Sequence, residues 1–130
     1  MEKTRIMTDK APKAIGPYSQ AIAVGKMLYC SGQIPIDPAT GEIVGGDIAV
    51  QTRRALENAG AVLAACKLGF KDVVKTTVYL TDLNDFATVN AVYGEYFPEP
   101  YPARSCVQVA ALPKGAKIEV EVTARLAKNS

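Results

Sequence analysis

The 130-residue sequence contains no histidine and no tryptophan. Without histidine, a Ser-His-Asp or Cys-His relay cannot form, and neither can a zinc site with imidazole ligands. The three cysteines, Cys30, Cys66 and Cys106, are widely spaced and form no C-x-x-C pair, so they cannot supply four thiolates by themselves. We therefore predict no metal site, and any proton transfer must use carboxylate, tyrosine, lysine, thiol, backbone or water.

Long apolar runs and strong charge are also missing. The longest uncharged apolar stretch, 59–66, is far shorter than the roughly 20 residues of a membrane-spanning helix. The net charge of +2 is too small to indicate a nucleic-acid partner by itself, and the basic residues are scattered. Residues 1–6 carry charges without an apolar segment behind them, so we expect no secretory signal and a cytoplasmic location. The glycines at 45 and 46 belong to a turn and form no phosphate-binding loop.

The composition that remains is that of an ordinary globular domain. It is 48% apolar and 22% charged, and the chain is long enough for one hydrophobic core. No linker or repeat divides it. We therefore predict a single domain over residues 1–130.

Two amphipathic helices are predicted from apolar residues at helical spacing. The first has Asp47 as its N-cap, continues to Cys66 and has Gly69 as its stop. The second begins near Asn84 and cannot pass Pro98. Its predicted buried residues are Phe86, Val89, Tyr93 and Phe97.

The remaining segments are rich in Val, Ile, Thr and Tyr and predict strands over 27–34, 73–80, 105–110 and 118–126. A short hairpin with its turn at Gly25-Lys26 adds a strand at the front. Connections of this length favour an α+β fold, in which a single sheet of about six strands carries both helices on one face.

The period-two alternation of the strands assigns their two faces. On the last strand, Ile118, Val120 and Val122 point toward the helices, and Glu119 points away. On the strand before it, Val107 is assigned to the helix side. The second, mixed face is predicted to carry Tyr29, Ser31, Val73, Tyr79, Arg104, Cys106 and Glu119. Such a face is either a solvated surface or the interface of a closed ring of copies.

Several motifs together resemble one family, the Rid family of reactive-intermediate deaminases (YjgF/UK114). The match extends from about residue 4 to residue 126 and is most specific where an arginine and a cysteine are followed by a downstream glutamate. The resemblance is to the RidA branch, in which all three positions are filled. The matching segments are 15–20, 31–35, 82–86, 102–107, 112–113 and 118–121.

The resemblance implies a homotrimer of chorismate-mutase-like architecture, in which three sheets line a central barrel and the active sites lie between neighbouring subunits. It also implies the activity of a 2-iminobutanoate/2-iminopropanoate deaminase. Such an enzyme hydrolyses the enamines and imines released by pyridoxal-phosphate-dependent dehydratases to 2-keto acids and ammonia. No cofactor is implied, and neither nucleic acid nor a membrane is expected as a partner.

The resemblance also assigns roles to individual residues. Arg104 would bind the substrate carboxylate, Glu119 would position the attacking water, and Cys106 would lie beside the imine. The other assigned residues are Tyr18, which would close the pocket, Ser31, which would form a hydrogen bond nearby, Gly32, where the backbone would approach the ligand, and Asn90.

Structural explanations remain open for all of these residues except Asn90. Glu119 could be a solvated strand residue. Arg104 could form an ion pair with Glu119 or Glu121, Cys106 could be a core thiol, and Gly32 could mark a strand bulge. Tyr18 could pack within its loop, and Ser31 could be an ordinary polar residue of its strand.

Two other functions also remain open: an endoribonuclease or translation inhibitor, and a trimer that binds a small carboxylate without catalysis. The segment between Phe97 and Arg104 is shorter than expected for the family, which leaves the size of the substrate open.

Overall fold

The computed structural model describes residues 1–126 and shows one six-stranded sheet with two α-helices. The elements are β1 (Lys3–Ile6), β2 (Ala21–Val24), β3 (Met27–Cys30), α1 (Ile48–Ala65), β4 (Val73–Leu80), α2 (Phe86–Tyr96), β5 (Ala103–Gln108) and β6 (Ile118–Arg125). The strand order is β1-β2-β3-β6-β4-β5. Within residues 1–126, only the β4–β5 pair is parallel, and α2 connects its two strands. The predicted α+β fold is confirmed, although β1 was not predicted as a strand.

The helix predictions are largely correct. The Asp47 side chain caps α1 by accepting a hydrogen bond from the backbone N–H of Val50. The helix ends at Ala65, before the predicted stop at Gly69, because Lys67 adopts the left-handed conformation (φ 60°). In α2, the prediction of burial is wrong only for Phe86, which is 37% exposed at the first turn.

The hydrophobic core lies between the helices and one face of the sheet. On β6, Ile118, Val120 and Val122 are at most 1% exposed, whereas Glu119 and Glu121 are only partly buried on the other face. The alternation predicted for β6 is therefore confirmed. Val62 of α1 and Leu28 of β3 are fully buried in the same cluster, which fixes that face as the helix side.

The face predicted for β5 is wrong. In the parallel pairing, Arg104 lies beside Thr76 and Cys106 beside Val78, and both β4 residues are buried under the helices. Adjacent partners in a ladder share a face, so Arg104 and Cys106 point toward the helix side. Val107 lies on the opposite face and is 42% exposed. Because β5 is an edge strand with little apolar cover, a hydrophobic residue such as Val107 can lie on the exposed face, so its position did not indicate the core side.

The first two residues of β4 also depart from the prediction. The register with β6 shifts between Val73 and Lys75, so that Val74 is an extra residue in the ladder. As a result, Val73 is buried and Val74 is 45% exposed, the reverse of the predicted faces.

The outer face of the sheet mixes polar groups with exposed apolar side chains, as predicted. Tyr29, Val74 and Val107 are each between 42% and 50% exposed there. Over residues 1–126, neither helix is both long and apolar enough to cross a membrane.

Candidate active site

The predicted site residues other than Cys106 fall into two separate cavities. One, of about 560 Å³, is lined by Tyr18, Ser31, Gly32 and Glu119, and we call it the carboxylate half-site. The other, of about 470 Å³, is lined by Asn90, Tyr93, Tyr101, Pro102 and Arg104, and we call it the arginine half-site. Cys106 follows Arg104 on the same face of β5 and packs against the core.

The carboxylate half-site forms where β3 leaves the sheet earlier than predicted. The Ser31 hydroxyl donates to the carbonyl of Ser19 at 2.6 Å, and the Ser31 N–H donates to the carbonyl of Gln20. Gln33 then rejoins the sheet through two hydrogen bonds with Val120, at 2.8 and 3.0 Å. The intervening residue, Gly32, is thereby held against the Glu119 side chain.

The position of Gly32 leaves no space for a side chain. A Cβ atom built there would overlap Oε2 of Glu119 and lie 2.8 Å from its Cδ atom. Sequence reasoning expected this glycine to approach a ligand or to mark a bulge. In the structure it is the Glu119 carboxylate that makes the close approach.

Burial raises the pKa of the Glu119 carboxyl, and the nearby charge of Glu121 raises it further. A carboxylate with a raised pKa is a stronger base than an ordinary solvated one. Glu121 itself accepts a hydrogen bond from the Tyr79 hydroxyl at 3.2 Å. Of the two glutamates, only Glu119 lines the cavity.

Replacing Gly32 with alanine should displace the Glu119 carboxylate without unfolding the protein, because the backbone at Gly32 is not left-handed. If Glu119 takes part in a reaction, we expect kcat to fall about 100-fold, since shifts near 1 Å have that effect. Gly45→Ala is the matched control, because a Cβ there meets no atom within 4 Å. Wild-type kcat in a folded Gly32→Ala protein would show that this close approach has no catalytic role.

The arginine half-site is formed by β5 and α2. Nη1 of Arg104 donates to Oδ1 of Asn90 at 2.8 Å. The Cζ atom of Arg104 lies 4.8 Å from the ring centroid of Tyr93 and 5.4 Å from that of Phe86. Among residues 1–126, Arg104 has no carboxylate within salt-bridge distance. The structure therefore does not contain the ion pair with Glu119 or Glu121 that the sequence left open.

Cys106 has the properties of a neutral thiol. Burial raises its pKa, and the positive charge of Arg104 only partly opposes that change. A thiol with a raised pKa is a poor nucleophile at neutral pH. Its position therefore agrees with a packing role for the side chain at least as well as with a chemical one.

The two half-sites cannot act on one small molecule within a single chain. Arg104 lies beside Thr76 on the helix side, whereas Glu119 lies beside Tyr79 on the outer face. Thr76 and Tyr79, the β4 residues beside Arg104 and Glu119, are three residues apart, which is roughly 10 Å along the strand. The expectation that Arg104, Cys106, Ser31 and Glu119 share one face of the sheet is therefore wrong.

Sequence reasoning missed the aromatic side chains around Arg104. Phe86, Asn90 and Tyr93 are spaced i, i+4 and i+7, and this spacing places them on one face of α2. Phe86 and Tyr93 were assigned to the core only. Asn90 lies between Phe86 and Tyr93 on this face of α2, and a polar residue in that position was the signal that the face contacts a polar group.

Together, the fold and the half-sites define a class of small α+β proteins that present a guanidinium on one face of a sheet and a partly buried carboxylate on the other. Within residues 1–126, this guanidinium has no carboxylate partner. A family model described as endoribonuclease L-PSP matches residues 8–126. This chain therefore belongs to that family, the YjgF or Rid family that its motifs resemble.

Individual relatives agree closely with this assignment. A 2-iminobutanoate/2-iminopropanoate deaminase of Escherichia coli K12 is 54% identical over 127 residues, which cover 95% of this chain and 98% of that protein. A putative endoribonuclease of Thermotoga maritima has 53% identity and a TM-score of 0.94, with 98% and 100% of the two chains covered. The TdcF protein of Escherichia coli with bound serine has 50% identity and a TM-score of 0.89, with 95% and 99% covered.

Proposed function

We propose that this protein is a deaminase that hydrolyses small 2-imino acids, such as 2-iminobutanoate and 2-iminopropanoate, to 2-keto acids and ammonia. The observation that carries the proposal is the pair of complementary, incomplete half-sites. One offers a cation whose N–H groups, among residues 1–126, bind only the Asn90 side chain, and the other offers a basic carboxylate. The name of the Escherichia coli relative and the serine bound to TdcF support a small carboxylate-bearing substrate.

The complete site would form between copies, in a homotrimer. The arginine half-site of one copy would face the carboxylate half-site of the next, and three-fold symmetry would repeat this contact at every interface. The exposed Tyr29, Val74 and Val107 on the outer face support such an assembly, since association would cover them.

In the mechanism, Arg104 binds the substrate carboxylate through N–H groups that are not used by Asn90. Glu119 accepts a proton from a water molecule as the water oxygen forms a bond to the imine carbon. The C=N π electrons move to nitrogen, which gives a carbinolamine, and Glu119 passes its proton to the amine nitrogen. Glu119 then accepts the hydroxyl proton as the C–N bond breaks and the carbonyl forms. The 2-keto acid and ammonia leave, and ammonia takes this last proton as ammonium. Because a protonated imine is already electrophilic, orientation of the two reactants supplies most of the catalysis.

The remaining residues would complete the pocket. Tyr18 is 54% exposed and can cover the substrate with its ring. The Ser31 hydrogen is used by the Ser19 carbonyl, so Ser31 would accept a hydrogen bond from the substrate and not donate one. Asn90 would act by holding Arg104, and Cys106 would border the imine beside it.

Mixing two inactive variants should restore activity if the site lies between copies. Arg104→Ala and Glu119→Gln each remove one half-site. In trimers that are unfolded and refolded together at equal amounts, about a quarter of the interfaces would combine two intact half-sites. We expect about a quarter of wild-type ammonia release from the mixture and almost none from either variant alone. A refolded mixture that stays as inactive as its components would contradict a shared site.

The activity itself is tested by adding the protein to an enamine generated in situ by a threonine dehydratase and measuring ammonia and 2-oxobutanoate. Acceleration over the uncatalysed rate is the expected result. Ligand-induced stabilisation without acceleration would favour a carboxylate-binding protein instead. The description of the family model favours one alternative, an endoribonuclease. Cleavage of RNA by the same preparation, with loss of cleavage in Glu119→Gln, would support it.

A further inference from the structure

We propose that Phe86 and Tyr93 are positioning residues, whose rings hold the Arg104 guanidinium so that its N–H edge faces the substrate carboxylate. This inference rests on the proposed function. Neither ring is assigned a role by the motifs that carry the family resemblance. Three side chains of one helical stripe, Phe86, Asn90 and Tyr93, contact the same guanidinium.

The ring of Tyr93 is fixed to the core. Tyr93 is 6% exposed and stacks on Phe97 with ring centroids 4.2 Å apart. Its hydroxyl shares a hydrogen bond of 2.8 Å with Thr76 Oγ1, and Thr76 is fully buried. Phe97 in turn packs edge-on against Phe70. A ring held by these contacts has little freedom to move, so it provides a rigid surface for the guanidinium.

Stacking and carboxylate binding use different parts of the guanidinium. An aromatic ring attracts the flat face of the cation, whereas a carboxylate binds the N–H edge. Asn90 occupies a donor on Nη1, so Nη2 and Nε remain for a bidentate contact. Burial raises the pKa of the Tyr93 hydroxyl, although its hydrogen bond with Thr76 and the charge of Arg104 oppose the change. Tyr93 therefore stays neutral and does not form a competing ion pair.

The test compares Phe86→Leu and Tyr93→Leu with a matched control, Tyr96→Leu. Tyr96 is also an aromatic residue of α2, but its hydroxyl donates to Glu57 and its ring packs on Phe70, away from Arg104. We expect each test variant to bind 2-oxobutanoate about tenfold more weakly by calorimetry, with KM raised by a similar factor. The control should lose thermal stability but keep its affinity. Tyr93→Phe keeps the ring and should keep most of the affinity.

A second readout does not depend on activity. The Arg104 side-chain N–H signals in an NMR spectrum should show ring-current shifts that decrease in Phe86→Leu, where only the Tyr93 ring remains beside the guanidinium. If Tyr93→Leu does not fold, the partly exposed Phe86 position decides the matter. Wild-type affinity in folded Phe86→Leu would overturn the inference. Wild-type affinity in Arg104→Ala would instead overturn the proposed function, because the guanidinium would then not bind the carboxylate.

Discussion

Arg104→Lys is expected to reduce kcat/KM for 2-iminobutanoate about 10- to 100-fold, which is the effect of losing one charge-assisted hydrogen bond worth about 1.5–3 kcal/mol. An ammonium group cannot make the bidentate contact of a guanidinium. It would also lose the planar stacking against Phe86 and Tyr93. The coupled dehydratase assay measures the change directly.

Arg53→Lys is the matched control for this substitution. Arg53 already binds the Glu95 carboxylate through two hydrogen bonds, at 2.8 and 2.9 Å, on the exposed surface between α1 and α2. The same chemical change there should leave kcat/KM unaltered, since surface ion pairs contribute little and this one is remote from the site. Near-normal turnover by Arg104→Lys would disprove the carboxylate-binding role.

Glu119→Gln is expected to lower kcat at least 100-fold, because a positioned general base typically contributes that much. The amide has nearly the same shape but cannot accept the proton of the attacking water. We also expect the variant to keep its oligomeric state, as measured by light scattering. A variant that is monomeric or unfolded would show that Glu119 is a structural residue instead.

The raised pKa of Glu119 sets the sign of two pH effects. Activity should fall as the pH drops through this raised pKa, since the base becomes protonated. For stability the direction is opposite. A carboxyl whose pKa is raised by folding stabilises the protein only while it is protonated, and this contribution is lost as the pH rises through the folded-state pKa. Glu119→Gln should therefore be at least as stable as the wild type at neutral pH, with an advantage that shrinks on acidification.

Glu121→Gln provides the charge-matched control for the pH profile. Its negative charge is one cause of the raised pKa of Glu119. Removing it should preserve turnover and move the acidic limb of the profile to lower pH. If the acidic limb of the pH profile is unchanged in both Glu121→Gln and Glu119→Gln, a group other than Glu119 controls that limb.

The sequence predicted best where burial is one-sided and complete. On β6, every second residue from Ile118 lies under the helices, so alternation and burial coincide. The Asp47 cap and the turn at Gly25 depend only on local backbone geometry, and both are confirmed. Prediction failed for Val74, which the bulge in β4 moves to the exposed face. It also failed for β5, because an edge strand has hydrophobic residues that are not buried.

The motifs indicate candidate site residues, but they did not predict how the fold groups them. Motifs indicated Arg104 and Glu119 together, whereas the sheet places β4 between their strands and turns them to opposite faces. The aromatic surroundings of Arg104 depend on how α2 lies over β5. That relation is a contact between distant segments, and local periodicity contains no information about it.

By itself, the sequence determined the two helices and most of the sheet, because helical periodicity, capping and strand alternation are local properties of neighbouring residues. Its motifs, by their resemblance, indicated the family. It also limited proton transfer to groups other than histidine. The tertiary structure alone decided that the candidate residues Arg104 and Cys106 lie on the helix side of the sheet, opposite Glu119. That choice follows from strand order, a one-residue bulge and the parallel register of β4 with β5, and all three are set by packing between residues far apart in the chain.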